Sequence, residues 1–137
     1  MNDNQIIKLD ELMQKIKQKL TLPNHNFDLV VAIGRGGILP GYLASSYLDI
    51  PMEIIQLEFR NDAHQAIHDT PQLLGPLGFE TANKRVLLTD DVANTGASLN
   101  KAKTLLQGAI ITTLVISGNG DISLFGKHDR CITWPWQ

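Results

Sequence analysis

Val86-Leu-Leu-Thr-Asp-Asp-Val-Ala-Asn-Thr-Gly-Ala-Ser98 is the stretch on which the reading of this chain turns. Val86 to Thr89 is a short, mainly apolar run of the kind that forms a buried strand. Two carboxylates, Asp90 and Asp91, follow it, and then a turn of small residues, Ala93 to Ser98. A helical pattern runs from about Gly96 to Gln107, with Gly108 as its stop. In α/β sheets, ligands bind where strands end and helices begin, because free N–H groups and the helix dipole favour anions there. Gly96 and Ala97 leave the backbone uncovered, and Thr95 and Ser98 add hydroxyl donors, so a phosphate needs no lysine. Taken singly, Thr95 or Ser98 could be a helix cap, and paired acids also occur at metal sites and in ordinary loops. In the order strand, two acids, nest, helix, they specify a sugar phosphate.

Upstream, Asp28 to Ile33 (DLVVAI) is a continuous apolar run, as expected of a parallel strand buried on both faces. Gly34-Arg-Gly-Gly37 turns the chain into a helical pattern from Ile38 to Leu48, where Pro40 falls in the first turn and is tolerated. Met52 to Leu57 reads as a strand. Before all of these, Ile6, Leu9, Met13, Ile16 and Leu20 recur at helical spacing, and Pro23 stops that pattern. Downstream, Ile110 to Ile116 is a strand, Gly118-Asn-Gly120 a turn, and Cys131 to Trp134 a short extended piece. Residues 60 to 83 lack periodicity and contain two prolines, Gly75 and Gly78, which suggests a functional loop. Strands alternate with helices, so the expected class is α/β with a mostly parallel central sheet flanked by helices.

With 137 residues the chain is expected to form one domain with a real core. The expected divisions are a core over 27–117, a loop over 60–83 and a C-terminal hood over 118–137. Net charge is −2 with no basic run, which argues against nucleic-acid and membrane surfaces as partners. One cysteine, Cys131, excludes an internal disulfide and fits a reducing compartment. No leader pattern and no apolar run near 18 residues is present, so the expected location is cytoplasmic.

A second motif, Val31-Ala-Ile-Gly-Arg-Gly-Gly-Ile-Leu-Pro-Gly41, adds an anion site of its own. Arg35 supplies a planar cationic fork for phosphate oxygens, and Gly34, Gly36 and Gly37 let the backbone come close. The bland alternative is a glycine-rich turn with a solvated arginine. Together, the two motifs resemble the type I phosphoribosyltransferase family. The 86–98 stretch is similar to its 5-phosphoribosyl-1-pyrophosphate (PRPP) signature. The 31–41 stretch is similar to the pyrophosphate loop of its purine (xanthine-guanine/hypoxanthine-like) branch.

The resemblance implies that type I phosphoribosyltransferase fold, with a small hood from the chain ends. It implies transfer of the 5-phosphoribosyl group of PRPP to a nitrogenous base, a purine by overall resemblance, with release of pyrophosphate. Asp90 and Asp91 would hold the ribose hydroxyls and Mg²⁺. The loop Ala93, Asn94, Thr95, Gly96, Ala97 and Ser98 would hold the 5-phosphate. Gly34, Arg35, Gly36 and Gly37 would hold pyrophosphate, with the Gly34–Arg35 peptide often cis in the family. Asn94, Arg35 and Arg60 are the implied catalytic residues, and Ile132 and Trp134 the base contacts. Residues 60 to 83 would be the family's closing loop, with His64 and His68 as solvated residues of it. Lys127, His128 and Asp129 read as surface residues. A homo-oligomer, dimer or tetramer, is the family's usual assembly.

The sequence also departs from the purine pattern. Asn94 stands where 6-oxopurine members carry an aspartate that takes a proton from the base, and an amide cannot do so. Those members also carry a lysine near Ser117, where this chain continues Gly118-Asn-Gly120. Cys131 falls where an aromatic would stack on the base. The alternatives are a non-catalytic PRPP- or nucleotide-binding regulatory module, and a nucleoside-5-phosphate hydrolase or other pentose-phosphate enzyme on the same fold.

Overall fold

The centre of the molecule is a five-stranded parallel sheet, and its three inner strands are built from the apolar runs of the sequence. A computed structural model describes residues 5–21, 26–58, 72–73, 77–93, 96–126 and 132–133. Within these, the elements in chain order are β1 (Gln5–Ile6), α1 (Leu9–Leu20), β2 (Leu29–Ile33), α2 (Ile38–Leu48) and β3 (Met52–Ile55). There follow β4 (Leu57–Glu58), β5 (Gln72–Leu73), β6 (Arg85–Ala93) and α3 (Ala97–Leu105). The last three are β7 (Ile110–Gly118), β8 (Ile122–Ser123) and β9 (Ile132–Thr133). The central order is β3-β2-β6-β7-β8.

Alternate residues of the inner strands feed two separate cores. Val30, Leu87, Leu114 and Ile116 pack with Leu12, Ile16 and Leu20 of α1 and Ala44 of α2. Leu29, Val31, Ile33, Val86, Leu88 and Val115 pack with Leu99 and Ala102 of α3. Because both faces are covered, β2 is buried at all five positions and reads as a continuous apolar run instead of an alternating one. Each such side chain contributes about 1.5–3 kcal/mol of burial. Truncating Leu87 or Leu88, both fully buried, should cost roughly 2–5 kcal/mol.

Several boundaries differ from the sequence expectation. Ile6 lies in β1, and α1 buries Leu12, Ile16 and Leu20 while Leu9 is 51% exposed. Spacing allowed either stripe; docking on the sheet selects the one continuous with the buried Ile7. Strand β6 extends past Thr89 through both acids to Ala93, because β7 is long enough to pair with it up to Gly118. The fifth strand of the sheet is Ile122–Ser123, a stretch assigned by sequence to the region beyond the core. Asp121 makes the short return possible: its carboxylate accepts from the Thr113 N–H (2.9 Å) and hydroxyl, and its own N–H donates to that hydroxyl. The chain ends do come together, β1 pairing in parallel with β9.

The expected loop over 60–83 is tied at both sides. Leu57–Glu58 and Gln72–Leu73 form an antiparallel ribbon, and Leu77 and Phe79 pack on the α3-side core. Thr81 is buried and its carbonyl accepts from the Lys84 N–H. Residues 59–71 lie outside the described residues.

Candidate functional site

The C-terminal ends of β2, β6 and β7 lie on one edge of the sheet, and the two sequence motifs meet there. After Ile33 the chain reverses through Gly34, whose φ of +48° suits glycine. The Gly34 N–H donates to the Ile55 carbonyl (2.7 Å), and the Gly37 N–H to the Ile33 carbonyl (3.0 Å). Among the described residues, the N–H groups of Arg35 and Gly36 make no hydrogen bond. The Arg35 side chain is exposed. A turn with unpaired amides beneath an arginine is a cradle for an oxyanion. Every peptide bond among the described residues is trans, Gly34–Arg35 included, so the expected cis bond is absent; the positive φ of Gly34 makes the turn instead.

Asp90 and Asp91 sit within β6, not beyond its end. The Asp91 N–H donates to Asp90 Oδ1 (2.9 Å) and the Val92 N–H to Asp91 Oδ1 (2.7 Å). Asp90 is buried, and burial, reinforced by the neighbouring Asp91 charge, raises its pKa from 3.8 to about 7. Asp91 is half-buried and lies directly over Gly36, where an added Cβ would stand 2.5 Å from its carboxyl carbon. The side chain of one motif therefore rests on the bare backbone of the other.

Beyond the acids, α3 opens from Gly96, whose φ is +77° and which has no side chain to cap the helix. Its neighbour on the same edge, α2, also opens from a glycine, Gly37, but at a right-handed φ of −86°. The alternative of a Ser98 cap is not seen: Ser98 lies inside α3, whose start has no side-chain cap hydrogen bond. The N-terminal end of a helix carries the positive end of its dipole and favours an anion. Ala93 ends β6, and its carbonyl is taken by the Asn119 N–H (3.0 Å).

That last contact shows a part of the site that sequence reasoning passed over. Gly118, at φ +105°, crosses so close to Ala93 that a Cβ would stand 2.5 Å from its carbonyl oxygen. The Gly126 carbonyl accepts from the Gly118 N–H, the Ser117 hydroxyl and the Ser123 hydroxyl. This knot fixes Ser117, Gly118 and Asn119 beside the end of β6. Its sequence signal was the Gly118-Asn-Gly120 turn straight after a strand.

Among the expected site residues, the structure brings together Gly34, Arg35, Gly36, Gly37, Asp90 and Asp91, with Ala93, Gly96, Ala97 and Ser98 next along the chain. Ile132 lies on the small β1–β9 sheet, paired with Gln5. Asn94, Thr95, Arg60, Trp134, His64, His68, Lys127, His128, Asp129 and Cys131 fall outside the described residues. Among the described residues, no group of three metal-ligating side chains occurs. No described helix is long and apolar enough to cross a membrane.

The phosphoribosyl transferase domain model matches residues 2–116, a span that holds both motifs. The orotate phosphoribosyltransferase of Saccharolobus solfataricus is 32% identical over 114 residues, covering 83% of this chain and 48% of that protein. That of Sulfurisphaera tokodaii is 30% identical over 98 residues, 69% of this chain and 46% of that protein. The chain thus spans about half the length of the curated relatives it matches. A purine phosphoribosyltransferase from Pyrococcus horikoshii Ot3 shares the fold, with a TM-score of 0.83 at 23% identity over 98% of this chain and 95% of that one. A hypothetical protein from Neisseria gonorrhoeae with bound ppGpp shares it at a TM-score of 0.75 and 22% identity, over 98% and 90%. Sequence relatives and structural neighbours thus name different bases, but the match over both motifs settles the family: the chain belongs to the phosphoribosyl transferase domain family.

Proposed function

We propose that the chain transfers the 5-phosphoribosyl group of PRPP to a nitrogenous base and releases pyrophosphate. One observation carries this: Asp91 lies on Gly36, so a ribose held by the acids has its C1 side beside the Arg35 turn. A ligand with hydroxyls at one end of that span and a diphosphate at the other fits it. Arg35 and the turn amides would stabilise the charge that builds on the departing pyrophosphate. Asp90 and Asp91 accept the ribose hydroxyls, and the start of α3 takes the 5-phosphate.

Magnesium suits this donor set. It binds through one or two carboxylates and substrate phosphates and keeps several waters, and the paired acids offer that and no more. Asp90 and Asp91 would hold it, and it would supply charge neutralisation at the pyrophosphate.

The base we assign is a purine. Ser117 and Asn119 beside the end of β6 are neutral, which suits an uncharged base better than an anionic one. Orotate is the second reading, and the two curated relatives favour it. The proposal extends to a cytoplasmic location and a homo-oligomer, on the family resemblance alone. Incubation with PRPP, Mg²⁺ and adenine, guanine, hypoxanthine, xanthine or orotate, followed by pyrophosphate assay, tests the transfer and the base. Turnover with a purine is expected. Turnover with orotate alone would replace the purine, and PRPP binding without turnover would leave a regulatory module.

A further inference from the structure

We infer that Thr89 is a positioning residue that holds the Arg35 turn in register with the acid pair. The inference rests on the proposed PRPP site. Thr89 is fully buried in β6, one residue before Asp90, and faces Ala32 across the sheet. Its hydroxyl donates to the Gly37 carbonyl at 2.8 Å. That carbonyl also accepts from the Gly41 N–H at 2.9 Å, the first hydrogen bond of α2. The Thr89 carbonyl occupies the space a Gly37 Cβ would need, and its hydroxyl stands 2.7 Å from where a Gly41 Cβ would be.

One side chain therefore touches the end of the turn and the start of α2, while its own backbone continues into the acids. A strand interior needs no hydroxyl there: an apolar β-branched residue would fill the same volume on a buried strand. The second hydrogen bond on Gly37 is also not needed to satisfy that carbonyl, which already has the Gly41 N–H. What the hydroxyl adds is a fixed distance between two halves of one ligand site. A ligand that spans both halves gains from that distance, and a ligand that uses only one does not.

The test compares Thr89→Ser with Thr89→Ala. Both lose the same methyl group, so the packing loss is shared and only the hydroxyl differs. Affinities for PRPP and for ribose 5-phosphate, each with Mg²⁺, are measured by calorimetry on both variants and the wild type. Thr89→Ser is expected to bind PRPP within about threefold of the wild type. Thr89→Ala is expected to bind it about tenfold more weakly, the scale of one net hydrogen bond. Ribose 5-phosphate affinity should agree between the two variants within about twofold. Equal PRPP affinity in the two variants would overturn the assignment, and so would an equal loss for both ligands in Thr89→Ala. A wild-type protein that binds neither ligand would instead remove the proposed site itself.

Discussion

The Asp91 carboxylate lies against the Cα of Gly36, so strand β6 and the Arg35 turn are in contact through a side chain and a residue that has none. The contact gives a direct test. Gly36 does not have a positive φ, so alanine is acceptable to the backbone, and the three atoms nearest its methyl group would all belong to the movable Asp91 carboxyl. Gly36→Ala should therefore shift stability by about 1 kcal/mol or less while displacing the acid. PRPP affinity should fall by tenfold or more. A variant that melts like the wild type and binds PRPP equally well would show that Asp91 does not act from this position.

Gly37 makes the opposite prediction one residue on. A Cβ there would run into the Thr89 carbonyl and stand 2.8 Å from the Ile33 N–H nitrogen, both backbone atoms that cannot swing away. Gly37→Ala should cost on the order of 1–3 kcal/mol or more, as overpacking does. Urea unfolding of the two alanine variants side by side reads the contrast; equal midpoints would contradict it.

Asp90 makes stability depend on pH. Folded, it keeps its proton up to about pH 7; unfolded, it releases it near 3.8. Between those values the folded chain binds the extra proton, so stability falls as pH rises through that window and levels off on either side. The total is on the order of a few kcal/mol, at about 1.4 kcal/mol per pH unit at most. Asp90→Asn should flatten this slope and be more stable than the wild type at pH 8, while losing PRPP binding. Urea unfolding at pH 5 and pH 8 measures it, and an unchanged slope in the variant refutes the assignment.

Arg35 is exposed, and in the proposed site it acts on the ligand. Arg35→Gln should leave the melting temperature unchanged. It should weaken pyrophosphate binding roughly 10- to 100-fold, as expected for a charge-assisted hydrogen bond of about 1.5–3 kcal/mol. Removing the charge should also reduce the salt dependence of binding. Calorimetry at two ionic strengths tests both, and a variant with wild-type affinity and salt slope would return Arg35 to the solvated turn.

The parts of the fold that were legible in the sequence are those where local chemistry and burial agree. DLVVAI had to be buried on both faces, and the helix from Ile38 to Leu48 is bracketed by Gly37 and by Asp49, which ends it in the left-handed conformation. The acids, the glycine turn and their strand–turn–helix settings were equally readable, because each has a local signature. What was not readable depends on pairing across the chain. Nothing local says that β6 continues through Asp90 and Asp91; the length of β7 decides it. Ile122–Ser123 is too short to show a period, and only the Asp121–Thr113 hydrogen bonds make it a strand. Thr89 looked like one more β-branched strand residue, since its partner Gly37 is 52 positions away.

The pairing of β1 with β9 has a consequence for the making of the protein. Gln5 leaves the ribosome before the five-stranded sheet is made, and its partner Ile132 leaves after it. During synthesis the five-stranded sheet can assemble before that ribbon exists, whereas the ribbon must await β9. A polypeptide stalled or cleaved shortly after Gly126 would keep the residues that meet at the edge of the sheet yet lack the strand that pairs with β1. The order of translation thus separates the sheet edge where the two motifs meet from the ribbon that forms after it.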